Sequence, residues 1–206
     1  MTPRMNTGLD MVDVTFSLTG EYLPPNYRPL LWQALLTTLP WLALEPGVGV
    51  VPFRWVTGET RYWLPKRVKL AIRMPERCAS NALALEGKRL EIDSGILLFL
   101  GESAVRQLNG YPSLHAHMVV TDAENEEQFS QFLEQQLANI DIGPHQWICG
   151  KSSTLNSSNE ILRGHSLVIH HLRMDQSLYL LNTGIGKARH LGCGLFTPFK
   201  RIPNLE

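Results

Sequence analysis

Apolar and polar positions along the chain alternate with a period of two in some stretches and near 3.6 in others, and the switches mark out the elements. Residues 12–18, Val-Asp-Val-Thr-Phe-Ser-Leu, alternate strictly, as a half-buried strand does. Pro24 and Pro25 end it, and Pro29 suits the first turn of a helix running to about Leu39. Leu31, Ala34, Leu35 and Leu39 share one face of that helix. Residues 47–53 and 68–74 read as strands, the second mixing basic with apolar side chains. Residues 75–85 read as a second helix closed by Gly87, and 88–92 with 96–100 supply more strand. That order, β-α-β-β-α-β, is the ferredoxin-like split βαβ unit.

The order then recurs. Residues 114–120 form a strand pattern, and Thr121 to Glu124 match a capping box opening a helix to about Ile140. Phe129, Phe132, Leu133 and Leu137 lie on one face of it. Strands over 147–151 and 166–172 flank a Ser/Asn-rich loop, 152–159. A helix over 175–182 follows, with Asp175 as its N-cap and Gly184 at its stop position, and 196–202 is the last strand. The predicted class is α+β, with two tandem ferredoxin-like (RRM-like) βαββαβ domains at 1–101 and 102–206, joined near 102–112. The duplication rests on element order, since the two halves share no visible sequence repeat.

Composition changes this picture little. The 206 residues are 44% apolar, enough for a substantial core, and formal net charge is zero. The distribution is uneven. Residues 54–77 carry Arg54, Arg61, Lys66, Arg67, Lys69, Arg73 and Arg77 against Glu59 and Glu76, whereas 107–150 contain acidic residues and no Lys or Arg. A basic face for RNA and an acidic back fit that asymmetry, as does ordinary solvated charge. Cys78, Cys149 and Cys193 stand apart in sequence, against a disulfide framework or a zinc ribbon. No apolar run of 18 residues occurs, so the expectation is a cytoplasmic protein without a membrane partner.

The chemistry concentrates in residues 184–196. Gly184, Gly186, Gly192 and Gly194 form two Gly-x-Gly pairs, with Lys187, Arg189 and His190 between them. Glycine lets backbone N–H groups approach an anion, and the interleaved cations add charge. The spacing is neither a dinucleotide fingerprint nor a P-loop: Arg189 stands where the third glycine belongs, and no Gly-Lys-Ser/Thr is present. A second cationic set, Lys66, Arg67, Lys69 and Arg73, has Trp55, Tyr62 and Trp63 nearby, a combination suited to stacked single-stranded bases. His115 and His117 fall on one face of a strand at a metal-ligand spacing, but no local carboxylate or Cys joins them, so no metal and no cofactor are assigned.

The run Gly-x-Gly-x-x-x-x-x-Gly-x-Gly-Leu-Phe after a short helix resembles the glycine-rich loop of the CRISPR-associated endoribonucleases that cut precursor CRISPR RNA within its repeats. Residues 12–18, Leu23-Pro24, Leu39-Pro40 and the run from Ala84 to Leu90 extend the likeness, and the myxobacteria-type branch fits best. The resemblance implies the same tandem fold and a metal-independent endoribonuclease. Such an enzyme uses the ribose 2′-OH to attack the adjacent phosphate, leaves a 2′,3′-cyclic phosphate, and stays bound to the 3′ hairpin of the mature guide. Its partners would be the repeat stem-loop and other subunits of a CRISPR effector complex. That branch reads Leu-Pro-x-Asp-His before the first helix; here Asn26 and Tyr27 replace Asp and His. Tyr27, Arg28 and His190 are therefore the expected catalytic residues, and Gly184, Gly186, Lys187, Arg189, Gly192, Gly194, Lys66, Arg67, Lys69 and Arg73 the expected RNA contacts. The substitution also leaves open a repeat-RNA-binding subunit that does not cut. A tandem domain for small molecules or protein partners is a third reading, disfavoured by the glycine loop.

Overall fold

In the computed structural model, which describes residues 10–53, 60–123, 125–157 and 160–199, the alternating stretch at the start of the chain becomes the central strand of a sheet. The elements in chain order are β1 (Met11–Thr19), β2 (Tyr22–Leu23), α1 (Tyr27–Thr38), β3 (Gly49–Val50), β4 (Tyr62–Trp63), β5 (Lys69–Pro75), α2 (Ala79–Ala82), β6 (Arg89–Asp93) and β7 (Ile96–Gln107). The second half supplies β8 (Leu114–Val120), α3 (Glu126–Ala138), β9 (Trp147–Asn156), β10 (Ile161–Ile169), α4 (Met174–Thr183) and β11 (Phe196–Pro198).

The first sheet has the order β3-β5-β1-β7-β6 and the second β11-β8-β10-β9. With β1, β3, β5 and β7 as its four basic strands, the first is the antiparallel ferredoxin arrangement plus one extra edge strand, β6; the second is the same arrangement without addition. The two halves are thus tandem ferredoxin-like units. A separate pairing of β2 with β4 sets Tyr22 against Trp63 and Leu23 against Tyr62, just before α1 begins.

Several elements differ from their expected bounds. β7 continues past the expected strand end at Leu100 to Gln107, because its backbone stays paired with β1 as far as Val12. The helix expected over 75–85 is only Ala79–Ala82, with 3₁₀ turns on both sides. Of the strand expected over 47–53, Gly49 and Val50 form a ladder with β5, and the Val51 N–H donates to Ala71 O at 2.9 Å. The Ser/Asn-rich segment is strand rather than loop as far as Asn156, so β9 and β10 make one long hairpin. Helix α3 is capped by Asn125, whose side chain accepts from the Gln128 N–H at 3.0 Å, four residues beyond the expected Thr121 cap. Helix α4 begins after Arg173, whose N–H donates to Gln176 Oε1 at 2.9 Å; Asp175 lies in the first turn and pairs with the Arg173 guanidinium. Arg54, Trp55, Glu59, Glu124 and residues 200–202 of the expected last strand lie outside the described residues.

The core joins the halves. Val12, Val14 and Phe16 of β1 pack with Leu31 and Leu35 of α1, in a cluster that also takes in Met118, Val120, Leu155, Leu162, Leu191 and Cys193 from the second half. A second cluster lies between β8, β10 and helices α3 and α4. Arg73 bolts the units together from within. It is 2% exposed, and Asp13 takes its Nε and Nη2 at 2.8 and 3.0 Å. Its Nη1 donates to the carbonyls of Phe196 (2.8 Å) and Leu181 (3.2 Å).

Candidate functional site

The start of α1 is the natural place to look. Pro24 and Pro25 bar an earlier helical start, and the Tyr27 N–H donates to Pro24 O at 3.0 Å. Asn26 occupies the N-cap without a side-chain capping bond. Tyr27 points inward: it is 4% exposed, with its ring 5.7 Å from Phe53 and 6.2 Å from Tyr62. Burial raises its phenol above the usual value, with the neighbouring Arg28 pulling the other way. Tyr27 therefore holds its proton at neutral pH and suits the role of hydroxyl donor, not of base.

Arg28 is half-buried beside the Tyr27 hydroxyl and the Cys193 thiol. Its Nη1 is buried without a hydrogen-bond partner among the described residues. A buried guanidinium nitrogen left in that state is costly, and the charge of the side chain acts on any anion held in the adjoining cleft. The side chain stands on the wall of a cleft of about 480 Å³ between the halves. Tyr27, Arg28 and Tyr62 line it from the first half, and His117, Ser153 and Thr154 from the second. The long β9–β10 hairpin is what carries Ser153 and Thr154 there.

The glycine loop is built differently from an open phosphate cradle. Its N–H groups serve the protein: Ile185 donates to Gly194 O at 3.1 Å, Lys187 to Val120 O at 2.9 Å, and Gly194 to Met118 O at 2.7 Å. Gly194 has φ +66, and a Cβ there would run into the Ile185 carbonyl oxygen. Gly184, Gly186 and Gly192 also have positive φ. These glycines let the loop fold against β8 and β3. Arg189 caps the end of α4, donating to the carbonyls of Thr183 and of Asn182 (2.8 Å). Burial, with the charge of Arg73 adding to it, lowers its pKa to about 10, so it remains a cation at neutral pH. Lys187 is exposed and pairs with Asp122 at the surface. His190 packs on Trp32, ring centroids 5.4 Å apart, and burial lowers its pKa. It lines a smaller pocket with Tyr27, Arg28, Leu31 and Pro52.

A family model described as Cas6 Crispr matches residues 12–201 of this chain. The chain belongs to the Cas6 family. A curated relative from Myxococcus xanthus, the CRISPR-associated endonuclease Cas6, is 29% identical over 196 residues, covering 95% of this chain and 84% of the relative. Among solved structures, a CRISPR associated protein Cas6 superposes with a TM-score of 0.64 at 12% identity, covering 93% of this chain and all of that one. A RAMP protein described as binding different RNA substrates follows at 0.61 and 13% identity, over 92% of this chain and 100% of that one. At such identities these two likenesses speak for the fold alone.

Within this Cas6-family chain, the expected residues divide into groups. Tyr27 and Arg28 meet at the cleft. Lys66, Arg67 and Lys69 are exposed in and after the turn following β4, near Trp63, which is 52% exposed, and Arg61, whose guanidinium lies 4.4 Å from the centre of the Tyr22 ring. Arg73, expected on the same basic face, is interior, because α4 and β11 cover that end of β5. His117, Ser153 and Thr154 were not anticipated at the site. The period-two spacing of His115 and His117 signalled a shared face, and the structure sets their rings 4.6 Å apart, edge to face. Which residues oppose them across the cleft depends on how the halves dock.

Proposed function

We propose that the chain binds the stem-loop of CRISPR repeats in precursor RNA and cuts it at the cleft beside α1, without metal, by attack of a ribose 2′-OH on the adjacent phosphate. The product would be a 2′,3′-cyclic phosphate upstream and a 5′-OH downstream, the protein keeping the 3′ hairpin within an effector complex in the cytoplasm. The name of the Myxococcus xanthus relative, an endonuclease, supports this reading. The observation that carries it is Arg28: a cation at a helix N-terminus, on the wall of an inter-unit cleft, beside the hydroxyl of Tyr27 and with a buried nitrogen that has no hydrogen-bond partner among the described residues. Such a group suits the charge that grows on a phosphorane. Tyr27 would give a proton to the departing 5′-oxygen, and Lys66, Arg67, Lys69 and Lys187 would meet phosphates along the RNA. We place the division between the two units after β7, in residues 108–113.

The test is a labelled repeat hairpin incubated with the protein in excess EDTA, with both product ends identified. Cutting with a 2′,3′-cyclic phosphate supports the reading. A second reading, a repeat-RNA-binding subunit that does not cut, is favoured by the replacement of the expected Asp-His by Asn26 and the buried Tyr27; tight binding without product would select it.

A further inference from the structure

Internal attack by a 2′-OH needs a proton acceptor, and none of the residues expected from sequence fills that role well. Tyr27 is buried and keeps its proton. His190 packs on Trp32 and lines a separate, much smaller pocket, which shares Tyr27 and Arg28 with the cleft. Among the described residues lining the larger cleft, the imidazole belongs to His117. Its strand presents it reliably. Leu114, Ala116 and Met118 are buried, while His115 and His117 are half-buried, so the two imidazoles share the other side of β8. The hydroxyls of Ser153 and Thr154 stand on the same wall, contributed by β9.

We infer that His117, and not a residue of α1, is the general base that takes the 2′-hydroxyl proton, an assignment that rests on the endoribonuclease reading above. As the 2′-oxygen bonds to phosphorus, the P–O5′ bond breaks. The proton passes from the 2′-OH to the His117 imidazole, the 5′-oxygen takes one from the Tyr27 hydroxyl, and the imidazolium returns a proton to the Tyr27 phenolate through solvent. Arg28 bears the charge of the phosphorane. The base and the cation therefore come from opposite halves of the molecule, so the active site is complete only when the two ferredoxin-like units are docked. This explains how the chain can lack the expected histidine before α1 and still hold an imidazole at the scissile phosphate.

Among the described residues, the titratable and charged groups that line the cleft with His117 or touch its ring are His115 on its own strand, Tyr27 and Arg28 from α1, and Tyr62 from β4; β9 offers Ser153 and Thr154, which are uncharged. The test compares wild type, His117→Gln and His117→Ala with a repeat hairpin at saturating protein in EDTA, from about pH 5.5 to 8.5, where imidazole titrates. Single-turnover rates should fall roughly 10²–10⁴-fold in both variants while hairpin affinity changes by less than about threefold. The pH dependence near neutrality should flatten in His117→Gln, and added imidazole should restore part of the rate of His117→Ala. Wild-type rate and pH profile in His117→Gln would overturn the assignment alone. So would a rate loss matched by lost affinity and untouched by imidazole. A wild type that binds the hairpin and leaves it intact would overturn the assignment together with the endoribonuclease reading.

Discussion

Asp13 and Arg73 meet through two parallel hydrogen bonds, and the remaining arm of the guanidinium crosses to the second half of the molecule. Asp13 lies on β1 and Arg73 opposite it on β5, so one cross-strand pair supports both the first sheet and its contact with α4 and β11. Asp13→Ala would leave a buried charge uncompensated and should cost about 3–5 kcal/mol. Urea titration of the whole chain measures this. A loss under about 1 kcal/mol would mean that Arg73 finds another partner or reaches water.

The glycine loop should fail through geometry before it fails through RNA. Gly194→Ala combines a positive φ with a clash against the Ile185 carbonyl, whereas Gly87→Ala, also at positive φ, meets nothing within 4 Å. Thermal melting should show the first losing several kcal/mol and the second about 1–2 kcal/mol, the cost of the left-handed backbone alone. Equal losses would contradict the packing role of Gly194.

The basic segment gives the opposite kind of prediction. Replacing Lys66, Arg67 and Lys69 together by Ala should leave stability nearly unchanged, since all three are exposed. Hairpin affinity should fall, and the slope of log affinity against log salt should drop by about 0.7–0.9 for each phosphate contact removed. Arg189→Ala should behave the other way, destabilising the chain by about 1–2 kcal/mol through the loss of two carbonyl partners on α4. An unchanged salt slope in the triple variant would move the RNA to another face.

His190 carries a pH effect whose sign is fixed by its burial. Its pKa is lowered in the folded protein, so below about pH 6.5 the unfolded chain binds more protons at this position than the folded one. The folded state loses stability there as pH falls, and none is lost above that range. His190→Gln should flatten the stability profile between about pH 7 and 5. An unchanged slope would show that the imidazole is solvated in the folded chain.

How much of this was legible beforehand follows from the range of the interactions. Strand β1, helix α1, strand β8 and the two split βαβ orders are encoded in local periodicity, and the glycine run carried the family likeness. The length of β7 was hidden, because Gly101 and the polar residues after it are held in strand by pairing with β1, not by their own preferences. The burial of Arg73 was hidden likewise: the mixed pattern of β5 is that of a solvated basic face until α4 and β11 cover it. At the cleft, Tyr27 was legible through the family resemblance, as the residue standing where a His is expected, and Arg28 through its place beside it at the helix start. His117, Ser153 and Thr154 come from a strand and a hairpin some ninety or more positions away in the chain, and only docking of the halves places them opposite.

If RNA is cut in the cleft at the start of α1, as proposed above, loss of the Arg28 guanidinium should slow the chemistry more than the binding. Single-turnover cleavage of a repeat hairpin by Arg28→Ala, with hairpin affinity measured on the same protein, separates chemistry from binding. The account predicts a rate lower by roughly 10²–10³-fold, because the cation acts on charge that develops in the transition state, with affinity reduced by less than about tenfold. A folded Arg28→Ala variant that cuts at the wild-type rate would contradict it.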